Sequence, residues 1–487
     1  MTDALLGGNG LGVLIGVLHV ALAAVVSAHI ILTKEDVRAA IGWTGLVWLA
    51  PIIGSALYGL LGINRIRRSA GEMRGHRPIA DGYTAELATA AGDLPLLPSG
   101  VPEEAAALAT LVGAITGLRL TTGNAIEPLR DGDEAYPAML EAIDAAQQSV
   151  GLATYIFDRG RAGDRFVDAL ARAVRRGAAV RVLIDGVGAR YSHPPITGSL
   201  RRHGVTVARF LPSMIPIPHP YFNLRNHRKL LLVDGVTAFC GGMNIRDGCL
   251  LRDDPRPAAA TQDVHFRVRG PVVEQLSNAF LFDWHFVTRE RLEDRLWRPP
   301  LEPAGDMVAR GIPEGPDEEF ESLLVTLLGA ISQATRSVRI VTPYFLPDPP
   351  VIDALRIAAL RGVRVDIVLP ERGNLRTVQW ASQAQLDQVL KWGCRVHLSR
   401  APFDHSKLMV VDGYWSLIGS ANWDPRSLRL NFEYDLECYS TALASRLSRI
   451  IDAKIETSRP LTLGELQRRP VLIKLRDGVA RLGQPYL

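Results

Sequence analysis

Two stretches of this 487-residue chain carry the same four polar residue types at the same intervals. His227-Arg228-Lys229 leads to Asp234 and then to Gly241-Gly242-Met243-Asn244, and His405-Ser406-Lys407 leads to Asp412 and then to Gly419-Ser420-Ala421-Asn422. A single His-x-Lys on a strand is easily accidental, whereas a duplicated pattern with matching tails is not. Duplication of a half-site implies one shared centre. The residue types suit exchange at a phosphodiester, which needs a nucleophile, an acid for the departing alcohol, and positive charge on the nonbridging oxygens. A neutral imidazole attacks phosphorus and an imidazolium delivers a proton, so one histidine in each form serves. Lys229 and Lys407 supply fixed cations, and Asn244 and Asn422 supply amide donors. No metal or other cofactor is expected, because the lysines stand where metal ions would and neither histidine has further ligands at zinc spacing.

Strands must hold these groups. Lys229 to Asp234 and Lys407 to Asp412 are strand-like runs rich in apolar residues, so His and Lys two positions apart project from one face of the pleat. Asp234 and Asp412 complete the catalytic motif by sequence, but each points to the opposite face and precedes a glycine, which predicts a turn or buried-pair role. The strands Val236 to Cys240 and Tyr414 to Ile418 end in glycines that permit close backbone approach to an anion. An imidazole that turns over also needs an acceptor on its second nitrogen. Asp263 follows His227, and Glu433 follows His405, each entering a strand after the motif pair, and these are the candidate orienting acids.

The second half of the chain repeats the first. Ala142-Ile143 through Ser149-Val150 matches Ala330-Ile331 through Ser337-Val338, Tyr155 matches Tyr344, and Arg176-Gly177 matches Arg361-Gly362. The spacing shortens before the second motif, which places a longer loop at 212–226 in the first half. Strand-like and helix-like runs alternate, and Val180 to Ile184 and Val363 to Leu369 read as buried strands, so the fold class is α/β. The predicted organisation is a membrane hairpin over 1–64, a Pro- and Gly-rich connector with one helix near 103–118 over 65–121, packed on the first domain, a first α/β half over 122–310 and a pseudo-symmetric second half over 311–487.

Leu11 to Leu32 and Ala39 to Leu61 contain no Asp, Glu, Lys or Arg, and each is long enough to cross a bilayer, which takes about 20 helical residues. Spans over 11–32 and 39–61 follow, with Trp43, Trp48 and Tyr58 as interfacial rings. Arg65, Arg67, Arg68, Arg74 and Arg77 after the second span predict a multi-pass inner-membrane protein with its large carboxy-terminal part in the cytoplasm. The formal charge of +4 suits an anionic partner without choosing one. A dense basic stripe is absent, which with the hairpin argues against nucleic acid. Four unpaired-looking cysteines suit a reducing compartment. Oligomeric state is not encoded.

The residues His227, Lys229, Asp234, Asn244, His405, Lys407, Asp412 and Asn422 resemble the paired motif of the phospholipase D superfamily. A narrower resemblance, to bacterial cardiolipin synthases, rests on the double span, on Asn-Leu-Arg-Asn-His-Arg-Lys at 223–229, on Thr-Pro-Tyr-Phe-Leu-Pro at 342–347 and on the run from Gly419 to Glu433. It implies two phospholipase D-like halves sharing one site. It also implies transfer of a phosphatidyl group from one phosphatidylglycerol to another through a phosphohistidine. Under it His227 is the nucleophile and His405 the acid and then the base, though the pseudo-symmetry makes these roles exchangeable. Asn244, Asn422 and Ser420 hold phosphoryl oxygens, and Asp263 and Glu433 orient the imidazoles. Hydrolysis, or head-group exchange on another lipid such as phosphatidylethanolamine, uses the same residues. The first half departs from the family's Gly-Ser-x-Asn by carrying Gly242. Two segments are expected near lipid: the loop with Met214, Ile215, Ile217, Tyr221 and Phe222, and the amphipathic tail from Val471, whose alternative is packing on the protein core.

Overall fold

The computed structural model describes residues 3–34, 36–62, 97–211, 224–252, 260–315 and 321–484. The chain forms two compact units, residues 1–72 and 73–487. In the first, α1 (Asp3–Thr33) is continuous, and its segment Gly16–Thr33, with a mean hydropathy of 2.0, is long and apolar enough to cross a membrane. The second apolar stretch is broken, contrary to the expectation of one span. It forms α2 (Val37–Leu49), α3 (Pro51–Leu57) and a π-helical turn at Tyr58–Gly62. Pro51 has no N–H and pushes Ala50 out of the helical region, to φ −144° and ψ 77°. The aromatic residues expected at the membrane surface also tie these helices together. The Trp48 indole donates to Ser27 Oγ at 3.1 Å, the Tyr58 hydroxyl lies 2.9 Å from His29 Nδ1, and Trp43 packs edge-on to Tyr58. The five arginines from Arg65 to Arg77, most of the connector, and the loop containing Met214, Ile215, Ile217, Tyr221 and Phe222 lie outside the described residues.

The second unit is built on one sheet. Its first half contributes β1 (Thr121–Arg130), β2 (Ser149–Thr154), β3 (Ala179–Asp185), β4 (Thr206–Phe210), β5 (Arg225–Asn226), β6 (Leu230–Val233), β7 (Thr237–Gly241), β8 (Thr261–Gln262) and β9 (Val264–Arg269). The second contributes β10 (Met307–Glu314), β11 (Ser337–Val341), β12 (Arg364–Pro370), β13 (Arg395–Ser399), β14 (Phe403–Asp404), β15 (Leu408–Val411), β16 (Trp415–Gly419), β17 (Asn431–Tyr439) and β18 (Arg459–Leu461). In each half three parallel strands, β2-β3-β4 or β11-β12-β13, lead to an antiparallel hairpin, β6-β7 or β15-β16, that carries the motif. The parallel strands are Val- and Ile-rich because helices cover both faces: Val180, Val182, Ile184, Val365 and Ile367 are all buried.

The two halves join along β1 and β10, which pair antiparallel and are flanked by β9 and β17. A buried ion pair between Arg310 on β10 and Glu437 on β17 reinforces the seam, and Arg310 also donates to the carbonyl of Ala109. That carbonyl belongs to α4 (Ala105–Thr116), the helix expected near 103–118. The expectation that it packs on the first half is wrong. Leu108, Ala109 and Val112 enter the apolar core of the second half, against α5 (Ser322–Gln333), where Gly329 leaves room for Leu111. An apolar helical face fixes burial but not the partner.

Two further pairings lie off the main sheet. β5 runs parallel to the start of β17, with Asn431 opposite Arg225 and Phe432 opposite Asn226. β14 runs parallel to β8, with Phe403 opposite Thr261 and Asp404 opposite Gln262. Each joins the residues just before one motif histidine to residues of the other half.

Candidate active site

Those two bridges decide which acid meets which histidine. β5 leads directly into His227 and its partner strand continues into Glu433; β14 leads directly into His405 and β8 into Asp263. The His227 N–H donates to the Phe432 carbonyl at 2.9 Å and the His405 N–H to the Gln262 carbonyl at 2.8 Å. His227 Nδ1 therefore lies 2.8 and 2.9 Å from the two Glu433 oxygens, and His405 Nδ1 lies 2.9 Å from Asp263 Oδ2. Sequence order pairs each acid with the histidine of its own half, and the fold exchanges them. With Nδ1 engaged, Nε2 of each ring is the nitrogen left for chemistry. Both rings line one cleft of about 520 Å³, so the half-sites share a single centre.

The two pairs are not equivalent. Glu433 is fully buried and accepts from the Ser420 hydroxyl at 2.7 Å and from Asn431 Nδ2 at 3.1 Å, besides His227. Burial alone would raise its pKa, but His227, Lys229 and Ser420 hold it at about 2. Asp263, with fewer donors, is pushed by burial up to about 6 despite Lys407. Burial lowers His227 to about 4 and, with Lys407 and Lys229 adding repulsion, His405 well below its ordinary value. Lys229 falls to about 7 and Lys407 to about 8, again chiefly through burial. An anion placed in the cleft opposes the lowering of the histidines and lysines, because it favours every cationic form.

Each lysine sits two residues beyond its histidine on the same strand face, as the alternation predicts. Lys229 Nζ donates to the His227 carbonyl at 2.6 Å and lies 5.8 Å from the Tyr155 ring centroid. Lys407 Nζ lies 3.0 and 3.1 Å from the two His405 ring nitrogens. Asp234 and Asp412 stand apart from the cleft, in keeping with the turn role. Asp234, at φ 50°, accepts from the N–H groups of Gln147, Gln148 and Ser149; Asp412, at φ 52°, accepts from Thr335, Arg336 and Ser337. Each clamps the loop entering the first parallel strand of its half.

Asn244 and Asn422 line the cleft as expected. Asn244 Oδ1 accepts from the Ile156 N–H at 3.0 Å, while Asn422 Nδ2 donates to Ser427 Oγ at 3.2 Å and its buried Oδ1 has no partner among the described residues. The Ser420 hydroxyl, to which the resemblance gives a phosphate role, here donates to Glu433 and accepts from the Tyr434 N–H at 3.0 Å. The matching Gly242 is explained by the same geometry. A Cβ there would lie 2.7 Å from Asp263 Oδ2, so the carboxylate fills the space a serine would take.

The structure adds residues that the motif did not mark. Tyr155 stands edge-on to His227 at 5.3 Å between ring centroids and Tyr344 to His405 at 6.4 Å, the pair that the internal repeat aligns. Arg225, Arg246 and Arg426 bring positive charge to the cleft wall, and burial raises Asp424 there to about 6. Arg228, between His227 and Lys229, is buried with Asp283 at 2.9 Å and donates to the Glu433 carbonyl at 2.9 Å, so it fixes the acid's backbone. Only the repeat, for the tyrosines, gave a sequence signal. Among the described residues no group of three or more His, Cys, Asp or Glu side chains is arranged to hold a metal ion.

Residues 139–280 and 327–455 match the family described as cardiolipin synthase, phospholipase D-like domain. The major cardiolipin synthase ClsA of Bacillus subtilis (strain 168) is 31% identical over 97% of this chain and 98% of its own length. The cardiolipin synthase of Geobacillus thermodenitrificans (strain NG80-2) is 30% identical over 98% and 95% respectively. Among solved structures, phosphatidylserine synthase of Haemophilus influenzae Rd KW20 superposes with a TM-score of 0.60 at 17% identity, covering 78% of this chain and 100% of that one, a likeness of fold.

Proposed function

Because the chain belongs to the cardiolipin synthase family of phospholipase D-like proteins, we propose that it transfers a phosphatidyl group from one phosphatidylglycerol to the free hydroxyl of a second, giving cardiolipin and glycerol. The observation that carries this reading is the crossed pair of histidine–carboxylate contacts opening on one cleft. The His227 Nε2 lone pair attacks phosphorus and the bond to the glycerol oxygen breaks, with His405 giving that oxygen its proton. His405 then takes the proton of the incoming hydroxyl, whose oxygen displaces His227. Glu433, fixed by the Ser420 and Asn431 donors and meeting His227 Nδ1 with both oxygens, favours His227 as nucleophile, since a firmly held Nδ1–H leaves Nε2 electron-rich. Lys229, Lys407, Asn244 and Asn422 stabilise the nonbridging oxygens. The anionic diester restores protons to the lowered lysines, so binding is coupled to proton uptake.

The same reading places the protein in the bacterial inner membrane by its amino-terminal helices, with the catalytic unit on the cytoplasmic side. Support comes from α1 and from the arginines after residue 64. Thiol labelling in sealed vesicles checks the sidedness. For the reaction, purified protein is incubated with labelled phosphatidylglycerol beside His227→Ala and His405→Ala. Cardiolipin and glycerol in equal amounts are expected from the native chain alone. Phosphatidic acid as the sole lipid product would make the enzyme a hydrolase.

A further inference from the structure

The carboxy-terminal helices α6 (Leu463–Arg468) and α7 (Val471–Leu482) follow β18, and α7 is mounted inside out. Its apolar residues Val471, Leu472, Leu475, Val479 and Leu482 are 60–81% exposed, and at helical spacing they fall within one stripe about 100° wide. Its polar face turns inward. Asp477 is 1% exposed and paired with Arg469 and Arg476, and the Arg476 guanidinium lies 4.3 Å from the ring centroid of Trp380, on helix α8 (Arg376–Gln383) of the same half. Packing on the protein core, the alternative held open for this tail, would bury the stripe and expose the charges. The reverse arrangement leaves five large apolar side chains facing outward from a helix otherwise anchored by ion pairs.

We propose that α7 is a membrane-docking helix, its Val471–Leu482 stripe seated in the acyl layer of an anionic bilayer. The charge pattern selects this occupant. The only acid on the helix is buried and paired with Arg469 and Arg476, whereas Lys474 flanks the stripe exposed and Arg481 half-buried on the same side, so the charge left unpaired by an acid of the helix is cationic. A second copy of the chain would set those cations against their own kind across a self-complementary contact. The site's position gives docking a use. α8, against which α7 is held, carries Thr377 and Val378 of the cleft wall next to Leu375, so a docked α7 puts the cleft one helix layer from the membrane. The use for substrate entry rests on the lipid-transfer reading; the docking itself does not.

The test uses the full chain in nanodiscs of mixed phosphatidylglycerol and phosphatidylethanolamine. Cys240, Cys249, Cys394 and Cys438 are all buried, so Leu472→Cys, Leu475→Cys and Val479→Cys accept a nitroxide selectively, with exposed Asp353→Cys as the aqueous control. Power saturation is expected to show the three labels reached by oxygen and shielded from a water-soluble nickel chelate, and the control the opposite. Nickel access equal to the control overturns the proposal, as does exclusion of both agents with spin–spin broadening, the mark of a second copy. This readout involves no turnover, so it stands or falls apart from the catalytic reading. In addition, L472D/L475D is expected to lose about tenfold in turnover on vesicle phosphatidylglycerol while keeping turnover on the soluble dihexanoyl lipid. Equal loss on both substrates, or no loss on vesicles, overturns the proposal.

Discussion

The exchange of acids between halves is open to direct attack through Glu433→Gln and Asp263→Asn. At Glu433 the amide has a tolerable orientation. Its NH2 faces Ser420 Oγ, a hydroxyl able to turn and accept, while Oε1 keeps His227 Nδ1 and Asn431 Nδ2. The His227 tautomer survives and only the charge is lost. A hydrogen bond to a charged group contributes about 1.5–3 kcal/mol, so E433Q is expected to slow phosphohistidine formation by roughly 10–100-fold. At Asp263 the outcome differs, because Oδ1 accepts from the Val264 N–H at 2.8 Å and must remain an oxygen. The NH2 is forced onto His405 Nδ1, which inverts that ring's tautomer and should cost about 100-fold or more with phosphatidylglycerol. The assay is rapid-quench trapping of the phosphoenzyme with two donors, phosphatidylglycerol and a phosphatidyl p-nitrophenol whose leaving group needs no proton. D263N is expected to regain a near-native burst with the activated donor, and E433Q is not. Rescue of E433Q with D263N still impaired would reverse the roles of the histidines, and an equal response of the two variants would refute separate dyads.

Replacing Lys229 or Lys407 by Met should each lower turnover by about 10²–10³-fold, the effect of removing one transition-state donor, with the lipid KM changing less. Stability carries its own signature of these lysines. Unfolded, both hold their protons to about 10.5, and folded they lose them near 7 and 8, so the unfolded state binds more protons and stability rises with pH above 7. Thermal unfolding of the protein without lipid should show a gain of up to about 1.4 kcal/mol per pH unit per lysine, read between pH 7 and about 8.5, and K229M/K407M should flatten it. Gly242→Ser forces a Cβ onto the Asp263 carboxylate, so it should lower activity by about tenfold, and a fully active variant would show that the carboxylate has room to move. Asp412→Ala strands the donors of Thr335, Arg336 and Ser337 and should destabilise by about 2–4 kcal/mol in denaturant melts, leaving the specific activity of the folded protein intact.

What was legible in the sequence was whatever repeats or has a period. His227, Lys229, His405 and Lys407 are fixed by strand alternation, the parallel strands by Val and Ile content, and the tyrosines Tyr155 and Tyr344 by the internal repeat. Pro51 marked a break that the absence of charge concealed. The exchange of Glu433 and Asp263 left no such trace, because β5, β8 and β14 are two residues long and carry no periodic signal. Their pairing follows from tertiary contact between halves, as does the placement of α4 on the second half. The same contacts make neither half self-sufficient. His227 alone, in a folded first half, has no carboxylate on Nδ1 and lacks the wall at Phe432 that receives its N–H. The shared centre is therefore a property of the β1–β10 seam as much as of the motifs. A seam variant such as Arg310→Met, which leaves Glu437 buried without its cation, should reduce activity through both dyads together while touching no cleft residue.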